Sequence, residues 1–287
     1  MTPARGGRTG RARTMLGEVC LAAIVWAGFG VVVGEAQDRK LMVTVYDGKT
    51  GEPIDGLRAA NFNIIDDKVR LRVTGAVART SLVDVMMLVD TSLLGQMVRP
   101  LGAAFVNSLG DKEQMAIVSF HDSADLIQDF TASRELLHRA LEQVSYGNNP
   151  HVLDALYAAI DGGFQGMARR RVIVLLSSGV EGRSRISEGE ILRLARQRGV
   201  SIFPVYVIGA ERGMFRRLAA HSGGAYFAAK WLKLDPKPLS ERVYSVLRGY
   251  YEVSISDAFT LGDRVKGTIE GLPKSKRKMR VSILPLD

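Results

Sequence analysis

The middle of the chain alternates apolar runs with amphipathic segments. The apolar runs are rich in Val, Ile and Leu and occupy residues 83–89, 115–120, 172–176 and 200–208. Such near-continuous runs are typical of strands that are buried on both faces of a parallel sheet. Between them, apolar residues recur at helical spacing after Pro100 and over residues 136–144 and 152–160. The alternation predicts an α/β fold in which helices cover both faces of a doubly wound, mostly parallel sheet.

Capping residues mark several of the predicted helix ends. Ser133 precedes the segment 136–144 and is a suitable N-cap. Ser187 and Glu190 have the spacing of a capping box, and Gly199 is placed to end the helix that follows them. These signals support the helical assignment of the segments between the apolar runs.

Short strand-like runs flank the α/β block on both sides. Three precede it, at residues 41–46, 61–65 and 69–77, and three follow it, at residues 250–255, 265–269 and 279–284. The pattern predicts a small β-domain, a possible β-sandwich, built from both chain ends, although separate β extensions would have the same pattern. We divide the chain into a leader (1–36), an N-terminal β segment (37–80), an α/β domain (81–249) and a C-terminal β segment (250–287).

The leader has the three parts of a secretory signal peptide. A basic start is followed by the uncharged apolar run 21–34 and by the small residues Gly34 and Ala36. The basic residues are Arg5, Arg8, Arg11 and Arg13. Because the apolar run is shorter than the roughly 20 residues of a membrane span, we expect cleavage and an extracytoplasmic (periplasmic or secreted) protein. An uncleaved membrane anchor, or a start at Met15 without these arginines, are the alternatives.

Cysteine and charge exclude several kinds of site. Cys20 is the single cysteine and lies in the leader, so a mature chain has no disulfide, cysteine zinc site or thiol nucleophile. The formal net charge is +9, of which the leader contributes +2 (four Arg less Glu18 and Glu35), and the remaining +7 favours acidic surfaces. No nucleic-acid-binding module is recognisable, so we expect no nucleic-acid partner. Most basic residues, Arg169-Arg170-Arg171 among them, are predicted to be solvated surface.

A local basic cluster lies between the last two predicted strands. It consists of Lys274, Lys276, Arg277, Lys278 and Arg280. A solvated turn is the simplest interpretation of this cluster. An alternative is that it binds an anionic polysaccharide or anionic lipid.

Asp90 and Ser92 directly follow the first long apolar run. Ligands of open α/β sheets bind at the carboxyl ends of the strands, so these oxygens are predicted to lie at the binding edge. The alternative is structural, because an Asp at this place can anchor the turn by accepting hydrogen bonds from backbone N–H groups.

Several motifs resemble those of a secreted bacterial family. Residues 42–57 (MVTVYDGKTGEPIDGL), followed by Asn61-Phe62, fit its N-terminal β segment. Phe120-His121-Asp122 and Ser222-Gly223-Gly224 are further matches in the expected order. The mature chain therefore resembles the VWFA-related proteins, which carry a von Willebrand factor type A domain. The resemblance implies a Rossmann-like sheet and binding to another protein or a cell-surface component.

The resemblance also implies a metal-ion-dependent adhesion site (MIDAS), in degenerate form. The family pattern is Asp-x-Ser-x-Ser after the first strand, a Thr before the third helix and an Asp after the fourth strand. Asp90 and Ser92 match, but Leu94 replaces the second Ser, Asn149 or Pro150 replaces the Thr, and Ser178 replaces the second Asp. Divalent ions such as Mg2+ prefer several oxygen ligands. We therefore expect weak or absent ion binding, with Asp90, Ser92 and Ser178 as the candidate ligands.

These observations predict a non-catalytic interaction module of the adhesion type. The chain has no Gly-x-Ser-x-Gly elbow, phosphate-binding Gly-rich loop or dinucleotide fingerprint. The candidate partner-binding face consists of Asp90, Ser92, Leu94, His121, Asn149 and Ser178. The alternative from another class is a hydrolase that uses the same strand ends, with Asp90, Ser92, His121, Asp122 and Ser178 as candidates.

Overall fold

The order of helices and strands follows the predicted alternation. The structure is a computed structural model and describes residues 39–229, 235–256, 261–262, 265–272 and 278–286. The first half contains β1 (Arg39–Asp47), β2 (Phe62–Asp66), β3 (Val69–Leu71), β4 (Val73–Thr80), β5 (Val83–Asp90), α1 (Arg99–Asn107), β6 (Gln114–Phe120), β7 (Ala124–Thr131) and α2 (Arg134–Glu142). The second half contains α3 (Val152–Gly162), β8 (Arg170–Ser177), α4 (Glu188–Gln197), β9 (Val200–Tyr206), α5 (Arg212–His221), β10 (Phe227–Ala228), α6 (Pro236–Arg248), β11 (Gly249–Ile255), β12 (Lys266–Ile269) and β13 (Met279–Leu286). The predicted leader lies outside the described residues.

A six-stranded sheet forms the centre of the α/β part. Its spatial order is β10-β9-β8-β5-β6-β7, with all pairs parallel except β6 and β7. Every residue of β5 is buried. Val85 and Met87 contribute to one hydrophobic cluster, with residues of α1 and α6, and Met86 and Leu88 contribute to another, with residues of α3, α4 and α5. Because successive side chains of a strand point to opposite faces, helices cover both faces of the sheet, and the predicted fold class is confirmed.

The predicted helix caps are confirmed. The Ser133 hydroxyl accepts a hydrogen bond from the Leu136 backbone N–H, and Ser187 and Glu190 form the reciprocal capping box. Gly199 follows α4 with a φ of 61°, a conformation that glycine adopts without strain. These local signals fix where the two helices begin and where α4 ends.

The strands outside the central sheet come from both ends of the chain. They form a four-stranded sheet of order β13-β1-β11-β4 and a three-stranded sheet of order β12-β2-β3. Leu41, Ile64 and Val253 belong to one hydrophobic cluster that both sheets share. Thr80 of β4 pairs with Gly249 of β11, so the chain enters and leaves the α/β part at neighbouring positions. This arrangement agrees with a β unit built from both chain ends.

The structure differs from the sequence-based predictions in three respects: the strand at residues 69–77, the exposure of Arg170, and two elements that were not predicted. Residues 69–77 are not one strand but β3 and β4, which pair with β2 and β11 in different sheets. Arg170 is not a solvated residue, because its guanidinium lies 5.2 Å from the Tyr250 ring and donates to the Leu247 carbonyl. The sequence pattern also missed β7 and α5.

Among the described residues, no helix is both long and apolar enough to cross a membrane.

Candidate functional site

Asp90 lies at the carboxyl end of β5 and is completely buried. Its Oδ1 atom accepts a hydrogen bond from the Ser92 N–H at 3.0 Å, and its Oδ2 atom accepts one from the Ser178 N–H at 2.7 Å. The carboxylate thus joins the ends of two neighbouring strands, β5 and β8. This is the turn-anchoring role that an Asp at a strand end is predicted to have.

Ser92 and Ser178 place two further oxygen atoms at this position. Both residues are buried, and neither Oγ atom has a hydrogen-bond partner among the described residues. A buried hydroxyl without a partner loses the free energy of its bonds to water, so each favours a ligand that can bond with it. The structure therefore brings the three candidate metal ligands Asp90, Ser92 and Ser178 together.

The charge at this position is low for a divalent ion. Asp90 supplies one carboxylate, and no group of three or more His, Cys, Asp or Glu residues suited to a metal occurs in the described part of the chain. Mg2+ takes about six oxygen ligands, so the three side chains here would leave roughly half of them to water. The residues fit a weakly held, largely hydrated ion better than a tightly bound one.

The loop after β5 turns sharply and exposes apolar side chains. The Gly95 N–H donates to the Ser92 carbonyl, and a Cβ atom at Gly95 would lie 2.1 Å from the Asp90 carbonyl oxygen. The turn thus requires glycine at this position. Leu93 is 69% exposed, Met97 50% and Leu94, which replaces the second Ser of the family pattern, 46%.

An exposed apolar residue also lies on the other side of Asp90. The Ile208 N–H, just beyond β9, donates to the Ser178 carbonyl at 2.8 Å, and its side chain is 46% exposed. Leu93, Leu94, Met97 and Ile208 thus lie in the two segments that are joined to the Asp90 turn, and we call them the apolar rim. Of these, sequence analysis singled out Leu94 alone, because exposure after a strand end has no signal in a hydrophobicity pattern.

His121, Asp122 and Asn149 meet at the loop after β6. The Asn149 side-chain amide donates to Asp122 at 3.0 Å, and this bond lowers the pKa of Asp122. The His121 Nδ1 atom accepts from the Asp122 N–H at 2.7 Å, and the ring leaves no room for a Cβ at Gly147. The Gly147 N–H donates to the Thr91 carbonyl, which joins this loop to the Asp90 turn.

The group around Asp90 and the group around His121 lie at the same edge of the sheet, but no side-chain hydrogen bond between described residues joins them. In the part of the chain that the structure describes, the His121 ring is not bonded to Ser92 or Ser178, and Asn149 is bonded to Asp122 instead of to Asp90. A hydrolase would need a base in hydrogen-bond reach of its nucleophile. The arrangement contains the hydroxyls and the histidine but does not connect them.

The basic cluster is described in part. Lys274, Lys276 and Arg277 lie outside the described residues. Lys278 is exposed, and its carbonyl accepts a hydrogen bond from the Gly48 N–H. The Arg280 guanidinium lies 5.9 Å from the centroid of the Tyr226 ring.

No protein-family model matches the chain, and no curated protein matches it in sequence. Solved structures do match its fold. A structure of proximal thread matrix protein 1 from the mussel byssus, with a zinc-occupied MIDAS motif, is 18% identical over 63% of this chain and 50% of its own, with a TM-score of 0.52. A von Willebrand factor type A structure from Catenulispora acidiphila is 12% identical over 74% of this chain and 50% of its own, with a TM-score of 0.49.

The chain spans about half the length of the mussel byssus protein that it matches. At this level of identity the similarity concerns the fold. The six-stranded sheet and the helices on both of its faces agree with that similarity. The chain has the fold of a von Willebrand factor type A domain.

Proposed function

We propose that this protein is a non-catalytic, adhesion-type module that binds another protein at the strand-end face around Asp90, with little or no contribution from a divalent ion. The apolar rim carries this proposal. Four exposed apolar residues lie in the segments next to Asp90, the position at which type A domains bind an ion. Apolar side chains that exclude water are typical of the centre of protein interfaces.

The low negative charge of this site and its exposed apolar surface support binding of a partner protein without an ion. A bound ion needs acidic ligands, and the described part of this site offers a single carboxylate, both oxygens of which already accept backbone hydrogen bonds. Burial of apolar surface instead contributes about 25 cal/mol per Å² removed from water. Three of the rim residues come from one short loop, so a single partner surface would cover them together.

The geometry also supports the absence of catalysis. Asp122 donates its backbone N–H to the His121 Nδ1 atom and accepts the Asn149 amide, so these groups bond to one another and not to Ser92 or Ser178. A general base would need a free ring nitrogen directed at a hydroxyl nucleophile. We further propose an extracytoplasmic location, on the basis of the signal-peptide pattern of the first 36 residues.

Site-specific photo-crosslinking tests the proposed face. With a benzoylphenylalanine at Met97 of the full chain, expressed in its source cells, we expect one discrete protein adduct that persists in EDTA. The matched control carries the same photo-crosslinker at Tyr157, an exposed residue of α3 outside the rim. The same adducts from both positions, or an adduct from Met97 that EDTA abolishes, would contradict the proposal.

A further inference from the structure

A groove runs along α5 at its border with the β strands. One part, of about 500 Å3, is lined by residues of α5, β12 and β13. A second part, of about 340 Å3, is lined by residues near the end of β1, by Arg212 and by residues of β10. Tyr46, Tyr226 and Arg280 line both parts. The two cavities adjoin at these shared residues, and we call them together the basic groove.

Cations outnumber anions along the basic groove. Its described basic residues are Lys49, Arg212, Arg216, Arg217, Lys278 and Arg280. Asp47 is the one acidic residue among the described lining residues, and its carboxylate accepts the Lys49 backbone N–H at 2.7 Å. Clefts lined by one sign of charge concentrate ligands of the opposite sign. The groove therefore favours an anionic ligand.

Two of these arginines lack an anionic partner. Arg217 is bound to Glu188 through two contacts of 2.7 Å, but within the described part of the chain neither Arg216 nor Arg280 has an ion pair. The Nε atom of Arg280 is buried and has no hydrogen-bond partner among the described residues. A guanidinium binds a carboxylate through paired N–H donors, so a ligand carboxylate would supply the anionic partner that Arg216 and Arg280 lack among the described residues.

The walls between the cations are partly apolar. Ala220, Ile269 and Val281 line the larger part of the groove. Sugar hydroxyls placed against such residues would lose hydrogen bonds to water without replacement. Apolar side chains that alternate with carboxylates fit the same wall without that loss. The lining thus favours an acidic peptide over an anionic polysaccharide.

We propose that the basic groove binds an acidic peptide segment, with Arg216 and Arg280 binding its carboxylates and the apolar wall contacting the side chains between them. The proposal rests on the proposed function only in taking the ligand to be part of a protein partner. The groove is a second binding site, built from residues other than those of the apolar rim.

His221 gives the groove a spectroscopic marker. It lines the larger part, and its pKa lies below the usual value because it is buried and because Arg196, Lys266 and Arg217 are close, while Glu188 acts in the opposite direction. A bound carboxylate would offset part of this positive potential. The pKa of His221, followed by NMR, should rise when the peptide binds.

Fluorescence anisotropy with a labelled peptide of alternating Glu and Val tests the proposal. We expect the full chain to bind this peptide, and the charge-neutral double variant R216Q/R280Q to bind it at least about tenfold more weakly, because two charge-assisted contacts are lost. The matched control K112Q/R139Q removes two exposed positive charges outside the groove and should bind as the unchanged protein does. Unfolding curves verify that each variant is folded. The variant R216K/R280K, which retains charge but not the guanidinium geometry, should be intermediate.

Three results would overturn the proposal. They are no binding of the peptide by the unchanged protein, equal binding by R216Q/R280Q, and binding of a sulfated polysaccharide without binding of the peptide. The variant Met97→Glu separates this proposal from the function proposed above, because it alters the apolar rim and should leave peptide binding unchanged. Failure at one site therefore leaves the other site testable.

Discussion

Replacing Arg248 with alanine lowers the free energy of unfolding by about 3 kcal/mol, the lower end of the cost of removing one partner from a buried ion pair, because the Arg248 side chain is itself 29% exposed. The Glu113 side chain is 1% exposed, and Arg248 binds it through an Nε–Oε1 contact of 2.9 Å and an Nη2–Oε2 contact of 2.6 Å. This carboxylate raises the pKa of Arg248, because its hydrogen bonds stabilise the charged guanidinium. Without the arginine, the buried Glu113 carboxyl would keep, among the described residues, only the hydrogen bond from the Gly110 N–H.

Two controls identify the cause of this loss. Arg139→Ala removes an exposed ion pair with Glu135 and should cost less than about 0.5 kcal/mol. The double variant E113Q/R248M removes both charges together and should recover much of the stability lost in R248A. Denaturant unfolding followed by circular dichroism measures all three. A loss below about 1 kcal/mol for R248A would contradict a structural role for this pair.

Replacing Asp90 with alanine lowers the free energy of unfolding by about 3 kcal/mol, because two buried backbone N–H groups lose their acceptor at about 1–3 kcal/mol each. These are the N–H groups of Ser92 and Ser178, both in buried residues. The loss is expected in EDTA as well as in Mg2+, since it comes from the turn and not from an ion.

Ser92→Ala is the matched control for this prediction. It changes the same turn but removes a buried hydroxyl that has no partner among the described residues. Its effect should therefore remain within about 1 kcal/mol of zero, in either direction. Denaturant unfolding curves for both variants, recorded with and without Mg2+, measure the difference. An Asp90→Ala variant that is as stable as Ser92→Ala, or one destabilised only in the presence of Mg2+, would contradict the anchoring role.

A structural role for Asp90 makes Asp90→Ala unsuitable as a test of metal-dependent binding. If Asp90→Ala weakens the turn, then lost partner binding in that variant is not evidence for a metal ligand. Rim variants are more informative, because Leu94 and Met97 are exposed and their side chains can be changed without loss of the buried hydrogen bonds.

The central sheet and its binding edge follow from patterns that the sequence displays directly. A near-continuous apolar run, interrupted only by Asp84, identified β5, and the polar residues at its end located Asp90 and Ser92 at the edge of the sheet. Side chains of β5 from Val85 to Leu88 alternate between the two hydrophobic clusters, which is why this part of the run is apolar at successive positions. Local caps such as Ser133 were also predictable, because the donor and the acceptor of the capping hydrogen bond lie within one turn of the chain.

Other features depend on contacts that a local pattern does not contain. The break between β3 and β4 arises because the two strands pair in different sheets, although residues 69–77 are similar in pattern throughout. Arg170 is drawn inward by the Leu247 carbonyl and the Tyr250 ring, both far from it in sequence. The basic groove combines residues of β1, α5 and β13, so its charge becomes apparent only after folding.

The affinity for the protein captured at Met97 tests the central claim most directly. We would measure its Kd for the unchanged chain and for Met97→Glu, each in EDTA and in Mg2+, with Tyr157→Glu as the control for an added exposed charge. The account predicts the same Kd in EDTA and in Mg2+, at least about tenfold weaker binding by Met97→Glu, and no change for Tyr157→Glu. Binding that requires Mg2+, or that Met97→Glu leaves unchanged, would contradict it.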